Sequence, residues 1–348
     1  MDPRISICIP AYRRARFLPA LLDSIRSQTA QPYEIVIRED NSSEREAIRE
    51  IASDYSAALP IRYLENPSTF GYDRNVRSCL EAATGDFCLF MGNDDVLCPY
   101  AISQVKGVIR RVPDVGVITR AYGVFKDSPD NVVEHIRHFP SPRMFPAGRD
   151  AVIALYRRTG VLSGLVFRRD AAVSLSTDKW DGSLYYQLYL TANLLVNRPG
   201  AYIDTPLVLC RDGVPPDFGN SPVEQPFYTP GGYTTTARLK MFSAMVDIIR
   251  DLDDRTGAGV LTPVLRDLGA YSYYLLAGHS TRPLSTFLNY YRQLGNIGVN
   301  RHPLYHIYFA SLLLLGPAGS LHVIESLRRL LGRSPNLSAL PSGQPMPV

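Results

Sequence analysis

With 348 residues, 45% of them apolar and 20% charged, the chain has material for one large core or two modest ones, in proportions that suit a globular protein rather than a disordered or fibrous one. Its net charge of +4 is too small to point to nucleic acid, but it suits an anionic substrate or a surface resting near anionic lipid. Five cysteines, odd in number and without metal-ligand spacing, predict reduced structural thiols in a cytosolic setting rather than a disulfide framework.

The chain opens almost at once on an apolar run, so no signal peptide is expected, and no uninterrupted apolar stretch reaches the roughly 20 residues that span a bilayer. Residues 4–9 predict a first strand, closed by Pro10-Ala11-Tyr12. Phe17, Leu18, Leu21, Leu22 and Ile25 then fall at helical spacing. Residues 33–37 predict a second strand, after which Ser43 and Glu46 have the spacing of a capping box. A third strand (61–64), a third helix (71–83) and a fourth, fully apolar strand (87–91) follow. Strand and helix alternate, the pattern of a parallel sheet with helices on both faces.

Further on, the pattern predicts a helix to Arg111, strands at 115–119 and 121–125, and a polar, proline-rich loop over 128–146. His135 and His138 stand three apart in that loop without carboxylates at matching spacing, and read as solvated histidines rather than metal ligands. A strand at 163–167, a helix at 183–196 and strands at 201–204 and 207–210 complete the sheet. The Pro-, Gly- and aromatic-rich stretch 212–232 is long for a structureless loop and reads as a lid, a binding loop or a linker. From about Tyr233 the pattern is helical: Leu239, Phe242, Met245, Val246, Ile249 and Leu252 share a face, and helices are expected over 261–278, 284–294 and 304–331. Residues 307–315 are the most apolar piece and precede Arg328, Arg329 and Arg333. Such a run serves core packing, a homodimer interface, or an in-plane membrane contact. The expected organisation is a sheet domain over 1–211, a lid or linker over 212–232, a helical region over 233–334 and a disordered tail over 335–348.

The chemistry is expected at the strand ends. The central strand runs into Gly92-Asn93-Asp94-Asp95, and adjacent carboxylates there are costly unless a cation or polar ligand meets them. In open α/β sheets, ligands bind at the carboxyl ends of the strands. The loops after the first, second and central strands bring Tyr12 and Arg14, Asp40, and Asn93, Asp94 and Asp95 to that edge. Asp40 alone could cap a helix, Tyr12 could be a packed aromatic, and Asp73, Arg74 and Asn75 could merely open the third helix, with Arg74 well placed to approach phosphate.

Residues 5–14, the segment Ser24-Ile25-Arg26-Ser27-Gln28-Thr29, Glu39-Asp40-Asn41-Ser42-Ser43, the stretch 66–75 and Asn93-Asp94-Asp95 together resemble the family-2 nucleotide-sugar glycosyltransferases, specifically over about 5–95 and more loosely to about 211. The resemblance implies a GT-A fold: an α/β, Rossmann-like, mostly parallel sheet flanked by helices, here followed by a helical C-terminal region outside the similarity. It implies that Pro10, Ala11 and Tyr12 lie under a nucleotide base and that Asp40 accepts a hydrogen bond from it. Gly71, Asp73, Arg74 and Asn75 would form the donor segment before the third helix, and Asn93, Asp94 and Asp95 would face diphosphate, with Asp95 and Asp94 holding Mg²⁺ or Mn²⁺. Two positions depart from the family pattern. Gly92 stands where an acid is common, and the Glu-Asp pair that usually supplies the catalytic base is missing, leaving Asp181 as the nearest carboxylate and Asp178 as the second. The Gly92-Asn93-Asp94-Asp95 and Leu162-Ser163-Gly164 stretches are also similar to a subgroup that adds deoxyhexoses such as abequose to O-antigen repeats.

The reaction so implied is inverting, metal-dependent transfer from a nucleoside-diphosphate sugar to a hydroxyl of a glycan or lipid-linked acceptor in bacterial surface polysaccharide synthesis. It would be catalysed in the cytoplasm or peripherally on the inner face of the plasma membrane, with no nucleic acid partner. A non-catalytic sugar-nucleotide-binding scaffold and a nucleotidyltransferase are the alternatives. The nucleotidyltransferase usually has glycines after the first strand, where Pro10-Ala11-Tyr12-Arg13-Arg14 has none, and no Gly-x-Gly-x-x-Gly supports a dehydrogenase.

Overall fold

The structure is a computed structural model that describes residues 2–330 and 337–338. Its first half alternates strand and helix as expected: β1 (Ile5–Ala11), α1 (Leu18–Arg26), β2 (Glu34–Glu39), α2 (Arg45–Tyr55), β3 (Ile61–Glu65), α3 (Tyr72–Ala82) and β4 (Phe87–Phe90). β3, β2, β1 and β4 lie side by side, all parallel. Beyond a two-residue β5 (Val96–Leu97) and α4 (Ala101–Arg111) come β6 (Val117–Phe125), β7 (Val132–Ile136), β8 (Arg143–Phe145), α5 (Arg149–Leu155), β9 (Val166–Arg168), α6 (Arg169–Val173), α7 (Tyr186–Asn197) and β10 (Gly200–Arg211). β9 runs antiparallel between β4 and the start of β6, whose remaining length on that edge pairs with β7. β10 lies parallel along the other edge of β6. The sheet is mixed and mostly parallel, as the GT-A expectation requires.

Alternation along the strands explains the layers. Ile5, Ile7 and Ile9 of β1, Ile35 and Ile37 of β2, and Leu89 of β4 share one core with α1, α2 and α4. The intervening Cys8, Val36, Cys88 and Phe90 face a second core with α3 and α7. All five cysteines are free thiols, and four are buried. The second core continues without interruption into the C-terminal helices α8 (Thr235–Thr256), α9 (Leu261–Ala270), α10 (Tyr273–Ala277), α11 (Leu284–Asn296) and α12 (Pro303–Leu330).

Several expectations need correction. The Ser43–Glu46 capping box does not form, because α2 starts at Arg45 and its N-cap is Glu44, without a side-chain cap. The stretches 115–119 and 121–125 are one strand, as are 201–204 and 207–210, the latter kept continuous by register shifts near Pro206. Residues 128–146 are not a plain loop, since β7 and β8 lie inside them. His138 stands half-buried between the rings of Tyr122 and Tyr202, and burial together with nearby arginines pushes its imidazole down to about 3. The helix expected over 261–278 breaks at Tyr271–Ser272.

The last helix is interrupted at Gly316 (φ 65°), before Pro317. By length and apolarity Pro303–Leu327 nonetheless meets the requirement for crossing a membrane, which no stretch was expected to meet. The side chains of Arg328 and Arg329, and all of Arg333, lie outside the described residues, as does nearly all of the tail for which disorder was expected.

Candidate active site

The turn after β1 is unusual. Arg13 and Arg14 both take left-handed backbone angles (φ 52° and 60°), which few non-glycine residues adopt. That geometry sends the Arg14 guanidinium across to the end of β4, where Nη1 lies 2.5 Å from Asp94 Oδ2. Its Nε donates to Asp217 Oδ2 at 2.8 Å, and its Nη2 to the carbonyl of Pro215 at 2.7 Å. Asn93 Nδ2 donates to the Arg13 carbonyl at 2.7 Å, so the β1 and β4 loops are tied twice. Tyr12 is half-buried in the same group. Burial pushes its phenol up, opposed by Arg13 and reinforced by the charges of Asp217, Asp40 and Glu224.

Asp94 and Asp95 are each only 9% exposed. Asp95 Oδ1 accepts the Arg211 amide at 2.8 Å, and its Oδ2 accepts the Ser163 hydroxyl, whose oxygen accepts the Gly92 amide at 2.8 Å. Burial, and then the adjacent Asp94 charge, hold the Asp95 carboxyl well above the usual carboxylate range. Behind them lies Arg120, fully buried, donating through Nη2 to the carbonyls of Val161 and Ser163. Its Nε and Nη1 have no hydrogen-bond partner. A buried guanidinium there offsets part of the negative charge of the pair.

Asp40 follows β2 and is buried, with its own amide bonded to the Ala11 carbonyl at 3.0 Å. Its Oδ1 accepts Asn66 Nδ2 and the Phe70 amide, both at 2.7 Å, and its Oδ2 the Gly71 amide at 2.8 Å. Asn75 continues the network, accepting Asn66 Nδ2 at 2.9 Å and donating to the Arg38 carbonyl at 3.1 Å. Asp40, Asn66 and Asn75 thus fix the path of the chain into α3.

The segment 212–232 folds over both groups. Asp217 meets Arg13 and Arg14, while Glu224 accepts the amides of Tyr72 at 2.7 Å and Gly219 at 2.8 Å. Gly71 (φ 85°) is required beneath it, because a Cβ there would come within 2.4 Å of Ser221 Oγ. A cavity of about 400 Å³ lined by Asp170, Ser174, Leu175 and Asn193 shares no residue with this site.

The remaining expected residues lie apart from the paired acids. Asp73 is buried and accepts the amides of Leu184 at 2.8 Å and Tyr186 at 2.9 Å, which places it at the amino end of α7, where that helix has no acid of its own. Burial is the larger influence and raises its carboxyl to about 7, although the two amides oppose it. Arg74 stacks on Phe70, with its guanidinium 3.6 Å from the ring centroid.

Asp181 Oδ2 pairs with Arg77 Nη2 at 3.0 Å, while its buried Oδ1 has no partner. Burial raises Asp181 above the usual range, and Arg77 opposes the shift. No hydrogen bond or ion pair among the described residues joins Asp181 to Asp94 or Asp95, but its neighbour Gly182 packs under Val223 and accepts the Tyr228 hydroxyl at 3.2 Å. Asp181 therefore lies beneath the same overlying segment. Arg77, Arg120, Arg211, Asp217 and Glu224 were not singled out from the sequence. Their positions depend on contacts between residues 41 to 203 apart along the chain, which no local pattern announces.

The donor set can be tested against a divalent cation. Among the described residues no three histidine, cysteine or acidic side chains cluster with metal-ligand geometry. Asp94 and Asp95 stand alone, and a Cβ at position 92 would come within 3.1 Å of Asp95 Oδ2 and 3.3 Å of Asp94 Oδ1. A third acid at Gly92 would crowd both. Two carboxylates suit a Mg²⁺ or Mn²⁺ that completes its shell with substrate phosphates and water.

Residues 6–172 match the family described as Glycosyl transferase family 2. The abequosyltransferase RfbV of Salmonella typhimurium is 26% identical over 228 residues, covering 60% of this chain and 66% of that protein. A GalNAc(5)-diNAcBac-PP-undecaprenol beta-1,3-glucosyltransferase of Campylobacter jejuni is 29% identical over 106 residues, 30% of this chain and 33% of its own length. The chain thus matches just under two thirds of one relative and a third of the other. The crystal structure of residues 1–349 of S. aureus TarS with UDP-GlcNAc superposes with a TM-score of 0.62 at 15% identity, covering 94% of this chain and 92% of that one. The fold is therefore GT-A-like, and the strand ends that carry Arg14, Asp40, Asp94 and Asp95 all lie within the residues that match glycosyl transferase family 2.

Proposed function

We propose that the chain is an inverting glycosyltransferase, moving a sugar from a nucleoside diphosphate to a hydroxyl of a glycan or lipid-linked acceptor in polysaccharide synthesis. The observation that carries this reading is the meeting of three strand ends, with Arg14, Asp40, Asp94 and Asp95, under one later segment that supplies Asp217 and Glu224. The similarity to RfbV, an abequosyltransferase, supports sugar transfer, and that to the C. jejuni glucosyltransferase, named for an undecaprenol-linked glycan, supports a lipid-linked acceptor.

Each group has a task in that reaction. Asp40, through Asn66 and the Phe70 and Gly71 amides, shapes the loop beside Tyr12 where the nucleotide base would rest. A divalent cation on Asp94 and Asp95 would neutralise charge on the departing diphosphate. Arg14 would exchange its contact with Asp94 for a phosphate oxygen, keeping Asp217 and hence the segment 212–232 closed over the donor. That closure keeps water from competing with the acceptor. Asp181 would take the acceptor proton through its unpaired Oδ1 while Arg77 holds Oδ2 in place. A single displacement of this kind inverts the anomeric centre.

The Asp181–Arg77 pair also favours a second reading, a sugar-nucleotide-binding protein without turnover. A thermal-shift screen of nucleoside diphosphates with and without Mn²⁺, followed by donor hydrolysis, decides between them. The transferase reading expects stabilisation by one nucleotide, enhanced by Mn²⁺, and slow hydrolysis of its sugar conjugate. Stabilisation without hydrolysis supports the binding protein, and no stabilisation by any nucleotide refutes both.

A further inference from the structure

The outer face of α12 inverts what a water-facing helix presents. Its inner side is committed to the fold: Tyr305, Tyr308 and Leu312 are buried, the Tyr308 ring meets Tyr273, and its hydroxyl donates to the Ala270 carbonyl at 3.1 Å. The outer side carries Ile307 (56% exposed), Leu314 (82% exposed), Leu313 and Leu315. A helix apolar on both faces buries the second one against something. Tyr274, 60% exposed, stands on α10, which packs against α12 through the Tyr273 hydroxyl and the Pro317 carbonyl at 2.6 Å. Tyrosine favours the boundary between water and hydrocarbon.

Charge selects what covers this face. Between residues 271 and 327 the chain has three arginines, Arg282, Arg292 and Arg301, all exposed, and a single acid, Glu325. Arg301 immediately precedes α12, and Arg292 follows Tyr291, whose ring stacks 3.8 Å from Phe309 of α12. A second copy docked through a two-fold would bring the same arginines towards one another. An anionic lipid surface would attract them.

We infer that α12 docks in the plane of a membrane bearing anionic headgroups, with Ile307, Leu313, Leu314 and Leu315 entering the headgroup–acyl boundary. Spanning is disfavoured by the same geometry. Residues 303–315 measure about 20 Å at the helical rise, against a hydrocarbon core of about 30 Å, and Gly316 and Pro317 break the helix there. The inner side of that piece is also fixed to the C-terminal core. An in-plane helix needs only its outer side free. This inference does not depend on the transferase reading.

Vesicle flotation of the full chain tests it, using phosphatidylcholine vesicles with and without phosphatidylglycerol. Flotation is expected with the anionic vesicles, weakening as salt rises. Ile307→Asp and Leu314→Asp should each lower partitioning by about tenfold or more, with melting temperature and donor hydrolysis unchanged, because both side chains point away from the core. Arg292→Gln with Arg301→Gln should lower it without touching the apolar face. Absence from the floating fraction at low salt overturns the proposal, as does equal binding to neutral vesicles. A dimer that Leu314→Asp dissociates, in a protein that does not float, assigns the face to a second copy and overturns it too.

Discussion

Two buried carboxylates at opposite ends of the parallel strands, Glu34 and Asp95, are treated in opposite ways. At the amino end, Glu34 is 4% exposed yet fully provided for: Oε1 accepts the Ser6 hydroxyl at 2.7 Å and the Thr84 amide and hydroxyl at 2.5 and 2.8 Å, while Oε2 faces Arg62 at 2.7 Å. Burial would raise its pKa, but Arg62, Ser6 and Thr84 outweigh it and bring the carboxyl down to about 2. At the carboxyl end, Asp95 has two donors, but burial first and the adjacent Asp94 second drive its carboxyl up. A carboxylate with a full set of donors and a cation holds the fold together. One buried beside a like charge, with fewer donors, marks a candidate functional site.

The largest effect that would break this contrast is at the crowded end. Asp95→Asn should lower transfer by about a thousandfold or more, the scale of charge stabilisation a bound cation supplies, with the melting temperature held or raised because a crowded charge has gone. Steady-state assays beside melting curves check both, and full activity in Asp95→Asn would sink the cation role. Asp181→Asn should reduce turnover by about 10²–10⁴-fold with donor affinity unchanged, as measured by turnover against nucleotide titration. If turnover holds, Asp178 or another carboxylate is the base.

Much of the contrast could be read from the sequence, and the reason is local. The end of β4 announces itself because a fully apolar run stops at Gly92-Asn93-Asp94-Asp95, and Asp40 is recognisable because it directly follows the strand β2. Glu34 gives no such signal, since its partners Ser6, Arg62 and Thr84 come from three other stretches. The same holds for Asp73, which looks like an acid opening α3 but reaches a different helix, α7, more than a hundred residues later. Arg14 was legible as a residue but not as a bridge, because Asp217 sits in a stretch without period-2 or period-3.6 patterning. The sequence pattern splits β6 and β10 because Arg120 and the pair Thr205-Pro206 interrupt apolar runs that the fold nonetheless keeps continuous.

At the satisfied end the test is stability rather than rate. A carboxyl whose folded pKa lies below its unfolded one stabilises the fold above the unfolded value, and that contribution is lost as pH falls through the folded value. For Glu34 the window runs from about 4.5 down to about 2. Glu34→Gln should therefore flatten the acid limb of the stability–pH curve in that window by about 3 kcal/mol, read from denaturant melts at stepped pH, and should leave nucleotide affinity alone.

The smallest effect sharpens the contrast, because it touches the crowded acid without removing it. Ser163 donates its hydroxyl to Asp95 Oδ2 and accepts the Gly92 amide, so Ser163→Ala removes the donor that orients Asp95 and leaves the Gly92 amide without its acceptor. Outer-shell donors of this kind are worth about 10–100-fold in metal affinity. Mn²⁺ titration followed by electron paramagnetic resonance should show a loss in that range for Ser163→Ala, with Ser163→Thr restoring most of it because the hydroxyl survives. Were Mn²⁺ affinity equal in all three proteins, Asp95 would be oriented by the Arg211 amide alone, and the hydroxyl of Ser163 would serve the backbone turn at Gly92 rather than the acid.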